Sequence, residues 1–225
     1  MSGYINGANI SDIYHGNDYI ESVYKGNELI FDNSDILKKY LQGSSTFVIP
    51  KETTKLNIYC FLSWDDVKEI VFEEPCQITT LWAGTFQECT SLQTMSIPNS
   101  MTKMGRAQFW SCDSLKEVIF QEPCQITEFG ERFFAECVSL SSIDIPSSVV
   151  ALGELCFDKC LSLTEITIPS SIETIDAKSF QNCSNLQTIY VDKPTDSITG
   201  APWGATNATV IWNDNSNHPE KPDPY

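Results

Sequence analysis

Nine cysteines dominate the residues of this 225-residue chain that could do chemistry. Thiols in such number could form disulfides, hold zinc or supply a nucleophile. Their spacing argues otherwise. No Cys-x-x-Cys pair occurs, and the only histidines, His15 and His218, lie near the two ends, so no imidazole between them can complete a zinc site or activate a thiolate. Cys89, Cys112, Cys137, Cys160 and Cys183 recur every 23 or 25 residues. One recurring position normally points inward, so these five are expected to form an internal ladder of reduced thiols that hydrogen-bond a bend. Cys76 and Cys124, 48 residues apart, are too distant to pair, whereas Cys156 and Cys160 could be neighbours. An odd total leaves at least one thiol free in a monomer. The acidic pairs Asp65-Asp66 and Glu73-Glu74 read as a solvated face rather than glycosidase carboxylates, since nothing aims two of them at one cleft. Asn213-Asp214-Asn215 lacks the glycine and terminal glutamate of a calcium loop, and the sequons at Asn182 and Asn207 read as chance. No catalytic residue, metal or cofactor is expected.

The elements that place these cysteines come from an internal repeat. Phe86-x-x-Cys89-x-Ser91-Leu92-x-x-Met95-x-Ile97 is matched by units anchored at Phe109, Phe134, Phe157 and Phe180, and a degraded unit begins at Phe61. The anchors are 23 or 25 residues apart, a solenoid period. Both long units carry Glu-Pro-Cys-Gln-Ile-Thr, at 74–79 and 122–127, as if a two-coil block had been duplicated. The short units continue instead through Ile-Pro and a second apolar pair: Met101/Met104, Val149/Leu152 and Ile172/Ile175.

Read from Leu140 to Cys160, Leu-x-x-Ile-x-Ile-Pro-x-Ser-Val-x-x-Leu-Gly-x-x-x-Phe-x-x-Cys resembles the BspA-like leucine-rich repeats of bacterial surface proteins. The family usually has Ala before the anchoring Phe. Here that site holds Thr85, Gln108, Phe133, Cys156 or Ser179, which implies irregular packing.

Alternating apolar residues predict one short parallel strand per coil, ended by Pro. The segment holding the Phe is predicted to be one helical turn, and Gly105, Gly130 and Gly153 to permit a tight bend before it. The expected fold is an α/β repeat, a leucine-rich-repeat solenoid with a small β-hairpin cap at its N-terminus. Residues 1–33 form the hairpin segment, 34–191 the repeat array, and 192–225 a cap strand and polar tail. In the first, Ile13-Tyr14-His15-Gly16-Asn17 and Val23-Tyr24-Lys25-Gly26-Asn27 carry hairpin signals and look like N-terminal segments of prophage tail-associated and receptor-binding proteins. Residues 33–42 predict a short helix.

With 30 Asp+Glu against 14 Lys+Arg, a net charge of −16, nucleic acid is an unsuitable partner. No apolar run approaches the roughly 18 residues of a membrane span, and Met1-Ser2-Gly3-Tyr4 lacks signal-peptide features, so the chain reads as soluble. Outward strand positions should line a concave face: Val48, Val71, Ser96, Ile119, Asp144, Thr167 and Tyr190, beside a row that includes Glu69, Glu117 and Glu165. The resemblance implies a non-catalytic binding protein, extracellular or virion-borne: a cell-surface adhesin or a prophage tail receptor protein, recognising a surface protein or glycan. A structural spacer, or an accessory module of a secreted enzyme, is the alternative. Oligomeric state is open.

Overall fold

A computed structural model of the chain describes residues 45–213 apart from 50, 52 and 57–60, together with the backbone of four two-residue strands nearer the N-terminus. Those four are β1 (Tyr4–Ile5), β2 (Ala8–Asn9), β3 (Tyr24–Lys25) and β4 (Glu28–Leu29), paired antiparallel as β1–β2 and β3–β4. The second pair flanks Gly26-Asn27, where a hairpin is expected. The hairpin expected around Gly16-Asn17 and the helix expected over 33–42 lie outside the described residues.

From residue 45 on, the chain winds in coils. Their longer strands are β5 (Thr46–Ile49), β6 (Glu69–Phe72), β8 (Thr94–Ile97), β10 (Glu117–Phe120), β13 (Glu165–Ile168), β15 (Thr188–Val191) and β16 (Thr209–Trp212). All pair in parallel, β5–β6–β8–β10 in one sheet and β13–β15–β16 in another. Each alternates buried and outward residues, the pattern of a strand with one face on a core. The second apolar pairs add short strands on another side of the coil: β7 (Thr80–Leu81), β9 (Lys103–Met104), β11 (Glu128–Phe129), β12 (Ala151–Leu152) and β14 (Thr174–Ile175).

No helix occurs among the described residues; the segments holding the Phe anchors are successive tight turns. The reason is visible in the backbone. Glu88, Ser111, Glu136, Lys159 and Asn182, each preceding a ladder cysteine, have left-handed φ values of 57–61°. Ala107, Arg132 and Leu155 are left-handed four residues earlier in their coils. Such residues interrupt a right-handed helix. They also turn their N–H groups along the solenoid axis: Glu88 donates to the Trp110 carbonyl at 2.7 Å, Ser111 to Ala135 at 2.9 Å and Glu136 to Asp158 at 2.7 Å. A helix would spend those donors within its own coil; here they tie each coil to the next.

The glycines act differently from expectation. Gly105 and Gly153 are absent from the left-handed set; a Cβ on Gly105 would stand 2.8 Å from the Ala83 nitrogen, and one on Gly153 2.7 Å from the Gly130 carbonyl carbon. Close approach of the preceding coil, not backbone freedom, requires them.

Two columns run through the core. Phe61, Phe86, Phe109, Phe134, Phe157 and Phe180 stack with centroids 5.3–5.6 Å apart. Trp203 takes the place of Ser179 and its equivalents one coil on: its carbonyl accepts the Phe180 N–H just as Ser179 accepts that of Phe157. Beside this column each ladder cysteine donates its thiol to the carbonyl of the anchoring Phe one coil back: Cys89 to Phe61 (3.0 Å), Cys112 to Phe86 (3.1 Å), Cys137 to Phe109 (3.0 Å), Cys160 to Phe134 (3.3 Å) and Cys183 to Phe157 (2.9 Å). All eight described cysteines are free thiols. Burial raises the thiol pKa values, to about 12 for Cys89 and Cys183 and well above the usual range for Cys112, Cys137 and Cys160. We expect a thiol-reactive dye added to native reduced protein to label the half-buried Cys76 and Cys124 first, with the five ladder thiols reacting only on unfolding; rapid native modification of the five, read by peptide mass analysis, would refute this.

The serine of the Ile-Pro-x-Ser motif is explained likewise. Ser100, Ser148 and Ser171 donate to the preceding coil's carbonyls at Ile78, Ile126 and Val149, and the Pro98, Pro146 and Pro169 carbonyls accept the N–H three residues on.

Candidate functional site: the outward strand face

The outward side chains of the longer strands form the surface that the sequence singles out. In the first sheet Val48 lies opposite Val71 and Ser96 opposite Ile119; in the second Thr167 lies opposite Tyr190, and Tyr190 opposite Ile211. Val48, Val71, Ile119 and Ile211 expose 43, 36, 51 and 45% of their surface, the large apolar groups that folding leaves in solvent on this face. Ile211, in the strand expected to cap the array, joins the row through its register with Tyr190. Trp203 is fully buried and meets the Trp212 ring edge-on, with centroids 6.1 Å apart.

The acidic row is also in place. Glu69 accepts a hydrogen bond from the Thr46 hydroxyl at 3.0 Å, while Glu117 and Glu165 are exposed opposite Thr94 and Thr188. Between Val71, Ser96, Ile119 and Gln121 lies a depression of about 260 Å³.

Sequence periodicity does not show that the sheet is interrupted. Residues 142–145 hold the strand position of their coil but pair with neither β10 nor β13. Ser142 and Asp144 are therefore exposed beside the row without being laddered into it. A cleft of about 440 Å³ opens between β10 and this segment, with Glu117, Ile119 and Glu122 on one wall and Ser142, Asp144 and Ser147 on the other. The core beside it holds an additional ring. Phe133, fully buried at the site that carries Thr85, Gln108, Cys156 or Ser179 elsewhere, packs 4.7 Å from Phe129, which in turn stacks 5.3 Å from Phe120 at the end of β10. This coil's Ile143 and Ile145 are 8 and 9% exposed, against 3 and 0% for Ile166 and Ile168; overfilling of a packed core is one route to such backbone shifts.

The remaining candidates have structural roles. Asp65 accepts the Thr90 hydroxyl, Glu73 the Lys51 N–H and Glu74 the Cys76 N–H. Asn182 donates to Asp158, and Asn207 to the Ser184 carbonyl. Asp214 and Asn215 lie outside the described residues. Among the described residues no group of three or more His, Cys, Asp or Glu is placed to hold a metal ion, and no helix is long and apolar enough to cross a membrane.

The sequence profile of the BspA type leucine rich repeat region matches residues 34–128 and 123–208, in six copies. The chain belongs to this family. Among solved structures, a leucine-rich repeat protein from Eubacterium ventriosum ATCC 27560 is similar at 26% identity and TM-score 0.61, covering 69% of this chain and 40% of that one. A leucine rich cell surface protein from Faecalibacterium prausnitzii A2-165 is similar at 24% identity and TM-score 0.55 over 68% of this chain and 49% of that one. The T. pallidum leucine rich repeat protein matches at 22% identity and TM-score 0.56 over 75% of each chain. The last two likenesses show the fold alone. This BspA-type chain thus spans about half the length of the Faecalibacterium protein. No curated protein sequence matches it. BspA-type leucine-rich repeats are typically non-catalytic, and none of these relatives is described as an enzyme.

Proposed function

We propose that this BspA-type chain is a non-catalytic binding protein that recognises a surface protein or glycan through its outward strand face, as a cell-surface adhesin or a prophage tail receptor protein. The observation that carries this reading is the row of exposed aliphatic side chains Val48, Val71, Ile119 and Ile211 on strands whose opposite face builds the core. Apolar groups aligned in solvent are the usual mark of an interaction site. The resemblance to a protein described as a leucine rich cell surface protein supports a surface location. The strand pair about Gly26-Asn27 supports the tail-protein alternative. Neighbouring tail genes would favour that role, and a secretion signal or anchor in a longer gene product the adhesin.

Arrays of surface proteins and glycans would identify the ligand. With it in hand, Ile119→Ala combined with Tyr190→Ala is expected to weaken binding by about tenfold, the effect of losing a hot-spot contact, with little change in thermal stability. Wild-type affinity in the double variant would move recognition off this face.

A further inference from the structure

We propose that the cleft between β10 and residues 142–145 receives basic side chains from an extended segment of a partner protein. The proposal rests on the binding role of the outward strand face and names the chemistry that one part of that face accepts. Three observations converge on it.

First, the parallel ladder is continuous from β5 to β10 and again from β13 to β16, and is interrupted only between them among the described residues. β10 is the edge strand of its sheet, with no ladder partner on its outer side among the described residues. Backbone N–H and C=O groups on open strand edges are the groups with which an extended peptide pairs. Second, the cleft is about 440 Å³, room for a long side chain, and adjoins the depression of about 260 Å³ beside Val71 and Ile119, which suits a neighbouring aliphatic residue. Third, the charge is one-sided. Glu117, Glu122 and Asp144 line the cleft and no Lys or Arg does; the Glu122 carboxylate accepts the Cys124 N–H, while no hydrogen bond or ion pair involves the Glu117 carboxylate among the described residues. The whole chain carries a net charge of −16. A bare metal ion does not fit, since no set of three ligating side chains converges there. A sugar ring would want an aromatic platform, whereas the nearest ring, Phe120, is stacked on Phe129. A guanidinium or ammonium on a flexible stem, carried by a strand-like backbone, matches all three features.

The test uses fluorescein-labelled short peptides alternating Arg with Val, and Glu with Val, titrated with the full chain and read by anisotropy at low and physiological ionic strength. The Arg/Val peptide is expected to bind, more weakly as salt rises, and the Glu/Val peptide not to bind. Glu117→Gln with Asp144→Asn should weaken the interaction by about tenfold, as loss of charged partners at an interface does; each single change is measured as well, with thermal unfolding reporting the fold. Glu128→Gln with Glu173→Gln removes equal charge from exposed positions elsewhere and should stay within about twofold of wild type. Equal loss in both pairs would reduce the effect to overall charge and overturn the proposal, as would wild-type affinity in Glu117→Gln/Asp144→Asn or no binding of the Arg/Val peptide. Val48→Ser with Ile211→Ser separates the two levels. If the cleft variants are silent and this pair weakens array-identified ligand binding, the strand face stands and the cleft falls; if neither pair matters for that ligand, both fall.

Discussion

Raising the pH from 9 to 11 is expected to cost this protein about 5 kcal/mol of stability while it remains reduced. Cys89 and Cys183 have folded-state pKa values of about 12 against an ordinary 9.0, because burial disfavours the thiolate. Cys112, Cys137 and Cys160 are also raised well above 9.0 by the same cause. Between the two values the unfolded chain has lost protons that the folded chain keeps, so stability is complete below about pH 9 and falls as pH rises. Each such thiol contributes a slope of about 1.4 kcal/mol per pH unit. Cys89 and Cys183 together therefore remove about 5 kcal/mol by pH 11, a large part of a typical domain stability of about 5–15 kcal/mol, and the other buried thiols act in the same direction. Urea unfolding followed by circular dichroism at a series of pH values measures the slope, and Cys89→Ala with Cys183→Ala should make it shallower by about 2.7 kcal/mol per unit. A flat stability between pH 9 and 11 would mean the thiols are not buried as donors.

The second large effect is expected at Phe134. Its ring lies between Phe109, at 5.3 Å and 5°, and Phe157, at 5.4 Å and 15°, and it is fully buried. Phe134→Ala removes both stacking contacts mid-array, where neighbouring coils hold the cavity open, so it should cost about 3–5 kcal/mol. Phe133→Ala deletes an identical, equally buried side chain, yet should cost about 1–2 kcal/mol less. At Phe133 the other coils carry smaller residues, and losing the ring lets 142–145 settle toward β10 and β13. Urea midpoints compare the two variants. Amide exchange over 142–145 should slow in Phe133→Ala as the ladder closes; equal costs with unchanged exchange would show that this coil is not overfilled.

Much of the architecture was legible in the residues because a solenoid places each side chain against its own equivalent one coil away. A recurrence of 23 or 25 residues therefore states a contact directly: Phe86 meets Phe109, and the Cys112 thiol reaches the Phe86 carbonyl. The inward and outward strand positions follow from a period of two, which puts Val71, Ile119 and Glu117 on the solvent side. Tertiary structure decided the rest. Glu88 and Lys159 carry no local signal for a left-handed backbone; they adopt it because their N–H groups bond carbonyls of the next coil, at Trp110 and Gln181, which the chain brings near only once it is wound. Gly153 is needed for the backbone lying against it, not for its own φ. Ile211 joined the outward row through its register with Tyr190. The unusual residue at Phe133 was visible in the sequence, but the sheet's interruption was not. Phe120, Phe129 and Phe133 stack across adjacent coils beside that gap, a combination that no local pattern of residues expresses.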